Sequence, residues 1–172
     1  MAKQLLIRPM QTSDLDAVLA LQGTIYPSHY HEPRTVFASK LALAAEFCFV
    51  VTRENTLMGY LFAHPWLQTA PPALFTVIGR VPDSADSLFI HDMVLHPDCR
   101  SRSLGQQLLQ SSLAAAAAAG LSCSTLVAVQ DAARFWLRQG YQPCTPQSDA
   151  NFPGLYGCDA QFMRRPVTTA AN

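Results

Sequence analysis

Residues 88–109, LFIHDMVLHPDCRSRSLGQQLL, constrain this chain more than any other stretch. An apolar run from Leu88 to Leu95 meets a proline, Pro97, then a basic turn, Arg100-Ser101-Arg102-Ser103, then Gly105 and a long alanine-rich helical pattern. The order reads as strand, loop and helix N-terminus. Such a junction gathers backbone N–H groups without intrahelical acceptors, the positive end of a helix dipole and two arginines, a combination that suits phosphate.

The flanking sequence supplies the rest of an α/β sheet. Gln4 to Arg8 is a short strand ended by Pro9, and Thr12-Ser13-Asp14 offers cap chemistry for a helix carrying Leu15, Val18, Leu19 and Gln22, closed by Gly23. Thr24 to Arg34 is a loop rich in titratable side chains, Tyr26, His29, Tyr30, His31 and Glu32. A second helix follows from about Thr35 to Ala45. Phe47–Thr52 and Leu57–Ala63, joined by a polar turn, read as a hairpin that Pro65 closes. Between Trp66 and Asp86 the chain is proline-rich, and its apolar patch Leu74–Gly79 reads as a small strand or a lid over a cleft. A helix from about Arg102 to Ala119 ends at Gly120, Ser124–Val129 is a strand, Gln130–Gln139 a helix, Tyr141 a short strand, and Tyr156–Pro166 a C-terminal strand. The segment from Leu88 to Val129 is thus a βαβ unit at the centre of a mixed sheet, and ligands favour the carboxyl ends of its strands.

Composition bounds the function. At 172 residues, 49% hydrophobic and 14% charged, the chain reads as one domain over 1–172. Twelve basic and twelve acidic residues give zero net charge, so no global field draws it to nucleic acid or a membrane surface, and phosphate recognition must be local. The N-terminus has too short an apolar run for a signal peptide, and no later run approaches membrane-spanning length. Cys48, Cys99, Cys123, Cys144 and Cys158 contain no CxxC pair, which fits reduced thiols in the cytoplasm.

Four motifs carry a likeness in their order and spacing: Leu6-Ile7-Arg8-Pro9 with Ser13-Asp14-Leu15, Leu57-Met58-Gly59-Tyr60, Arg100-Ser101-Arg102-Ser103-Leu104-Gly105 as a pyrophosphate signature, and Ala132–Tyr141. On these the chain resembles, over nearly its whole length, the GNAT superfamily of acyl-CoA-dependent N-acetyltransferases. The resemblance implies a mixed, mostly antiparallel sheet with a parallel central pair and about four flanking helices. It also implies acetyl-CoA as co-substrate, transfer to a primary amine by direct attack in a ternary complex, and no metal. Two positions depart from the pattern. Ser103 stands where the signature has its first glycine; a positive φ there would cost about 1 kcal/mol. Trp136 stands where many members carry a tyrosine that protonates the leaving thiolate, a task for which an indole N–H is unsuited.

Within that resemblance, Met93, Val94, Leu95, Arg100, Ser101, Arg102, Ser103, Leu104, Gly105, Gln106 and Trp136 are the expected cofactor contacts, with a backbone N–H near Val94 or Leu95 serving the oxyanion. His91 and Asp92 are an odd polar pair in a central strand, and a two-residue period sends them to opposite faces unless a bulge intervenes. His91, on the face of Phe89, is the expected base, with Asp92 orienting it or, around a bulge, replacing it; the bland alternative is a pair satisfied by backbone hydrogen bonds or a neighbouring subunit. Tyr26, His29 and His31 lie in the loop matching the family's acceptor region, against the alternatives of plain surface loop or metal ligands. His64 and His96 read as structural or solvated. The expected partners are a small-molecule or protein amine, with a homodimer left open. The rival functions are a non-catalytic acyl-CoA-binding or regulatory module and a partner-binding protein using Ala70–Pro82.

Overall fold

The computed structural model describes residues 4–100, 103–147 and 156–168; Ser101 and Arg102, both expected in the anion loop, lie outside the described residues. The apolar runs assemble into a seven-stranded sheet of β1 (Leu5–Pro9), β2 (Phe49–Arg53), β3 (Thr56–Trp66), β4 (Ser87–Leu95), β5 (Cys123–Ala128), β6 (Gln142–Pro143) and β7 (Gln161–Pro166). The strand order is β1-β2-β3-β4-β5-β7-β6, and every neighbouring pair is antiparallel except β4–β5. The mixed sheet with a parallel βαβ centre is the architecture that the sequence pattern implies.

Strand periodicity assigns the two faces. Val50 and Val51 are adjacent and both fully buried, yet Val50 packs with Leu15, Val18, Phe37, Leu41 and Phe62, whereas Val51 packs with Leu61, Leu88, Leu108 and Leu126. The first group lies beneath α1 (Leu15–Ile25) and α2 (Arg34–Ala44), the second beneath α3 (Leu104–Ala118) and α4 (Ala133–Arg138). A buried side chain the size of Phe37 or Leu108 contributes about 1.5–3 kcal/mol, so these two layers hold the sheet flat against its helices.

Several boundaries differ from the sequence expectation. α1 runs through Gly23 to Ile25, because Gly23 sits exposed on the helix and the stop comes from Pro27. β3 runs through Pro65 to Trp66, since β2 ends its pairing at Leu61 and a residue without an N–H is tolerated where a strand is paired on one side only. Leu74–Gly79 is neither strand nor helix. Leu137 is 44% exposed, because α4 is a short helix after a 3-10 turn and its buried side is carried by Trp136.

Candidate functional site

The sheet opens at its centre. β4 and β5 pair only from Ser87 to Ile90 against Cys123 to Leu126; β4 then continues to Leu95 alongside β3, and β5 to Ala128 alongside β7, without pairing to each other. The resulting cleft is lined by Ile90, His91, Asp92 and Met93 from β4, by Val127 and Val129 across the gap, by Trp136 of α4, and by Tyr26, Glu32, Leu74 and Tyr156 at its far end.

A register shift sets the polar pair at its head. Phe62 pairs with Asp92 and Ala63 with Ile90, leaving His91 as the extra residue of a bulge. Both side chains therefore reach toward the α1–α2 side. Asp92 accepts from Tyr26 Oη at Oδ1 and from Tyr60 Oη at Oδ2, each at 2.8 Å. His91 Nε2 meets Glu32 Oε2 at 2.5 Å, with only 4% and 5% of the two side chains exposed. Glu32 Oε1 accepts from the backbone N–H of Phe75 at 3.0 Å.

Electrostatics separates the two carboxyls. Burial pushes Asp92 above the usual carboxylate range, against the opposing pull of His91 and the two tyrosine hydroxyls. Burial also raises Glu32, but the hydrogen bond and charge of His91, helped by the Phe75 N–H and by Lys40, outweigh it and hold Glu32 below its ordinary value. Burial and the Asp92 charge drive the Tyr26 and Tyr60 phenols far up, so these hydroxyls act as hydrogen-bond donors and not as acids.

The other end of β4 meets α3. Ser103 is the N-cap of α3 with φ 57°, a left-handed position, so the strain foreseen for a serine in place of glycine is present. The first intrahelical bond runs from Gln107 N to Ser103 O, so among the described residues the amides of Leu104, Gly105 and Gln106 have no acceptor within the helix. Gly105 is buried: a Cβ there would lie 3.3 Å from Phe135, 3.4 Å from Leu95 and 3.5 Å from Met93, so the missing side chain lets the first turn rest on β4. Arg100 is exposed beside it, its Nε donating to Leu95 O at 3.3 Å. His96 N donates to Met58 O, and alternation along an antiparallel pair then directs the amides of Val94 and Asp92 toward β3 and those of Leu95 and Met93 toward the gap. Leu95 and Met93, rather than Val94, thus present free donors there; the Val94 side chain is buried under α1 and α2.

The remaining expected residues are spread more widely. Tyr26 lines the cleft, and His31 Nε2 donates to the Tyr26 carbonyl at 2.6 Å, holding that loop from behind. His29 is exposed and rests on the Tyr30 ring, away from the cleft lining. Trp136 lines the cleft with its ring edge-on to Tyr141. Tyr141 is fully buried, hydrogen-bonded to Ser124 Oγ at 2.7 Å and pushed up by burial, so it does not stand in for an acid. His64 is buried and held neutral, its pKa lowered by burial to about 3. Sequence reasoning names Glu32 only within the His29–Glu32 cluster of the acceptor loop, not as the partner of His91, and does not name Tyr60 for the site. Glu32 carried a signal, a carboxyl in the titratable loop; Tyr60 carried none beyond its place in an apolar strand.

Residues 15–141 match the Acetyltransferase (GNAT) family. No curated protein matches the chain in sequence. Among solved structures, the GphF GNAT-like decarboxylase in complex with isobutyryl-CoA aligns with TM-score 0.77 and 19% identity, covering 95% of this chain and 100% of that one. The ribosomal-protein-S18-alanine N-acetyltransferase of Escherichia coli aligns with TM-score 0.66 and 17% identity over 98% and 97% of the two chains. Naa50 of Arabidopsis thaliana, bound to the bisubstrate analogue CoA-Ac-MVNAL, gives 0.67 and 12% over 94% and 97%. At such identities these likenesses speak for the fold alone. With the family match running from the first helix to the turn after α4, the chain belongs to the GNAT acetyltransferase family.

Proposed function

We propose that this protein is an acetyl-CoA-dependent N-acetyltransferase that moves an acetyl group to a primary amine, of a small molecule or of a protein, by direct attack within a ternary complex. The observation that carries the reading is the parting of β4 from β5 after Ile90, with α3's open amides at one end of the gap and His91 at the other. Similar proteins solved with CoA or a CoA conjugate support the choice of co-substrate, and those named for N-acetylation support an amine acceptor. The five free cysteines fit a cytoplasmic setting, with residues 1–172 acting as one catalytic unit.

In this reading the amides of Leu104, Gly105 and Gln106, with Arg100 beside them, hold the pyrophosphate, joined by Ser101, Arg102 and Ser103 of the same loop. Acetyl-CoA supplies the activated acetyl thioester. The Leu95 and Met93 amides face the gap and stabilise the carbonyl oxygen as it gains charge. His91 takes the acceptor's proton, directly or through a water; Asp92 is less suited because both its oxygens are already engaged by tyrosine hydroxyls. Trp136 packs along the cofactor arm. A thiol of ordinary pKa near 8.5 leaves as thiolate without a dedicated acid.

The test is release of CoA thiol from acetyl-CoA over a panel of amines and peptide N-termini, with His91→Ala beside the wild type. Turnover lost in His91→Ala with acetyl-CoA binding retained supports the reading. Binding of acetyl-CoA without transfer to any acceptor supports the second reading, a non-catalytic acyl-CoA-binding module, which Trp136 at the acid position and the occupied Tyr141 favour.

A further inference from the structure

The stretch between β3 and β4 is fastened over the cleft by side chains from outside it, on α2, the loop before α2 and the segment before β7. Tyr156 Oη donates to Pro72 O. Phe75 N donates to Glu32 Oε1 at 3.0 Å, Lys40 Nζ to Thr76 O at 3.2 Å, and Ile78 N to Ser39 Oγ at 3.0 Å. Leu74, between the first two anchors, lines the cleft. Phe75 adopts φ 60°, a conformation a bulky side chain rarely takes, and it does so at the residue whose N–H turns inward to Glu32.

Glu32 therefore spends its two oxygens on two different structures: Oε2 on His91, Oε1 on the strap of residues 72–78. An ionised carboxylate only accepts hydrogen bonds, so the His91 nitrogen that faces it, Nε2, carries a proton, and in the neutral ring that acts as a base the lone pair is then on Nδ1. We infer that Glu32 is a positioning residue that fixes the basic tautomer of His91 and couples it to the seating of the strap. This rests on the reading of His91 as the base. A strap lifted from Glu32 frees Oε1, and the carboxylate loses the anchor that aims Oε2 at His91. Acceptor-side closure and readiness of the base are then one event.

The groups facing this pair are Lys40 from α2, His64 and Tyr60 from β3, Asp92 from β4, Tyr26 at the end of α1, and Tyr156 near the C-terminal strand. Lys40 is 1% exposed and holds the strap at Thr76; burial lowers its pKa, and the nearby Glu32 carboxylate opposes that lowering.

The experiment needs no acceptor. Ring 15N–1H correlation spectra of the full chain, labelled in histidine and with His91 assigned by its loss in His91→Ala, report the tautomer. The wild type is expected to show the Nε2–H form. Glu32→Gln keeps an oxygen for Phe75 N but presents an amide N–H to His91, and the ring is expected to switch to Nδ1–H. Hydrogen exchange at Phe75 and Ile78 reads the strap: Glu32→Ala, lacking any acceptor, is expected to speed exchange of the Phe75 amide about tenfold or more, with Glu32→Gln near the wild type. Reciprocity requires that His91→Ala also change Phe75 protection. A wild-type tautomer retained in Glu32→Gln overturns the positioning role, and Phe75 exchange unmoved in both Glu32→Ala and His91→Ala overturns the coupling. Failure of His91 as the base appears elsewhere, as unchanged turnover in His91→Ala, and leaves the spectra as expected.

Discussion

His91 and Asp92 are neighbours in sequence, yet both side chains leave β4 toward α1 and α2, because His91 is the residue left over when Phe62 pairs with Asp92 and Ala63 with Ile90. Without the bulge, one of the two would point to the α3 face and meet Leu88 and Leu126 instead of a polar partner. Each instead finds its own: Glu32 for His91, and the Tyr26 and Tyr60 hydroxyls for Asp92.

Asp92 is thus a clasp between α1's end and β3. Asp92→Ala leaves two buried phenolic hydroxyls without an acceptor and is expected to cost about 2 kcal/mol or more in urea unfolding, with Tyr60→Phe in the wild-type background costing about 1 kcal/mol. Equal and negligible losses in both would remove the clasp.

This part of the site shows where the sequence stops being legible. The Leu88–Leu95 strand, the turn and the α3 helix are local patterns, written in hydrophobic period and cap chemistry, and they were readable. The oddity of His91-Asp92 was readable too. What decides their direction is a one-residue mismatch between β3 and β4, a property of pairing that neither strand carries alone. The same holds for Glu32, whose loop is visibly titratable but whose partner lies 59 residues away. The strap defeated strand reading because its order comes from Glu32, Lys40 and Ser39 of other elements and from no period of its own.

Two glycines on the cleft's frame separate close approach from simple contact. A Cβ on Gly59 would lie 2.6 Å from Leu95 Cδ2 and 2.9 Å from Val94 O, whereas one on Gly105 would have its nearest neighbour, Phe135, at 3.3 Å. Gly59→Ala is expected to destabilise by about 1–3 kcal/mol and to disturb Leu95, weakening acetyl-CoA binding; Gly105→Ala is the milder change in thermal unfolding.

Ser103 holds a left-handed N-cap that glycine adopts without strain. Ser103→Gly is expected to stabilise the chain by up to about 1 kcal/mol and to leave acetyl-CoA affinity equal or tighter, while Ser103→Val weakens both. A Ser103→Gly variant that binds acetyl-CoA more weakly assigns the hydroxyl a direct contact.

At the entrance of α1, Arg8 donates to both oxygens of Asp14, at 2.8 and 2.7 Å, and Asp14 also accepts from Gln11 N. The hydrogen bond from Arg8 is the main cause that holds Asp14 below the usual carboxylate range. A depressed folded-state pKa contributes stability that is complete above the unfolded value and is lost as pH falls through the folded one. Asp14→Asn is expected to lower stability by about 1 kcal/mol at pH 7, and the gap to wild type should start to narrow as pH falls below about 4, as followed by urea unfolding at each pH.

Calorimetric titration of acetyl-CoA into the 172-residue protein tests the acetyltransferase reading most directly. Saturable binding with a dissociation constant below about 1 mM is expected, weakened about tenfold when Arg100 is replaced by Glu beside the α3 amides. No heat of binding up to millimolar acetyl-CoA, or binding indifferent to Arg100→Glu and Gly105→Val, would contradict it.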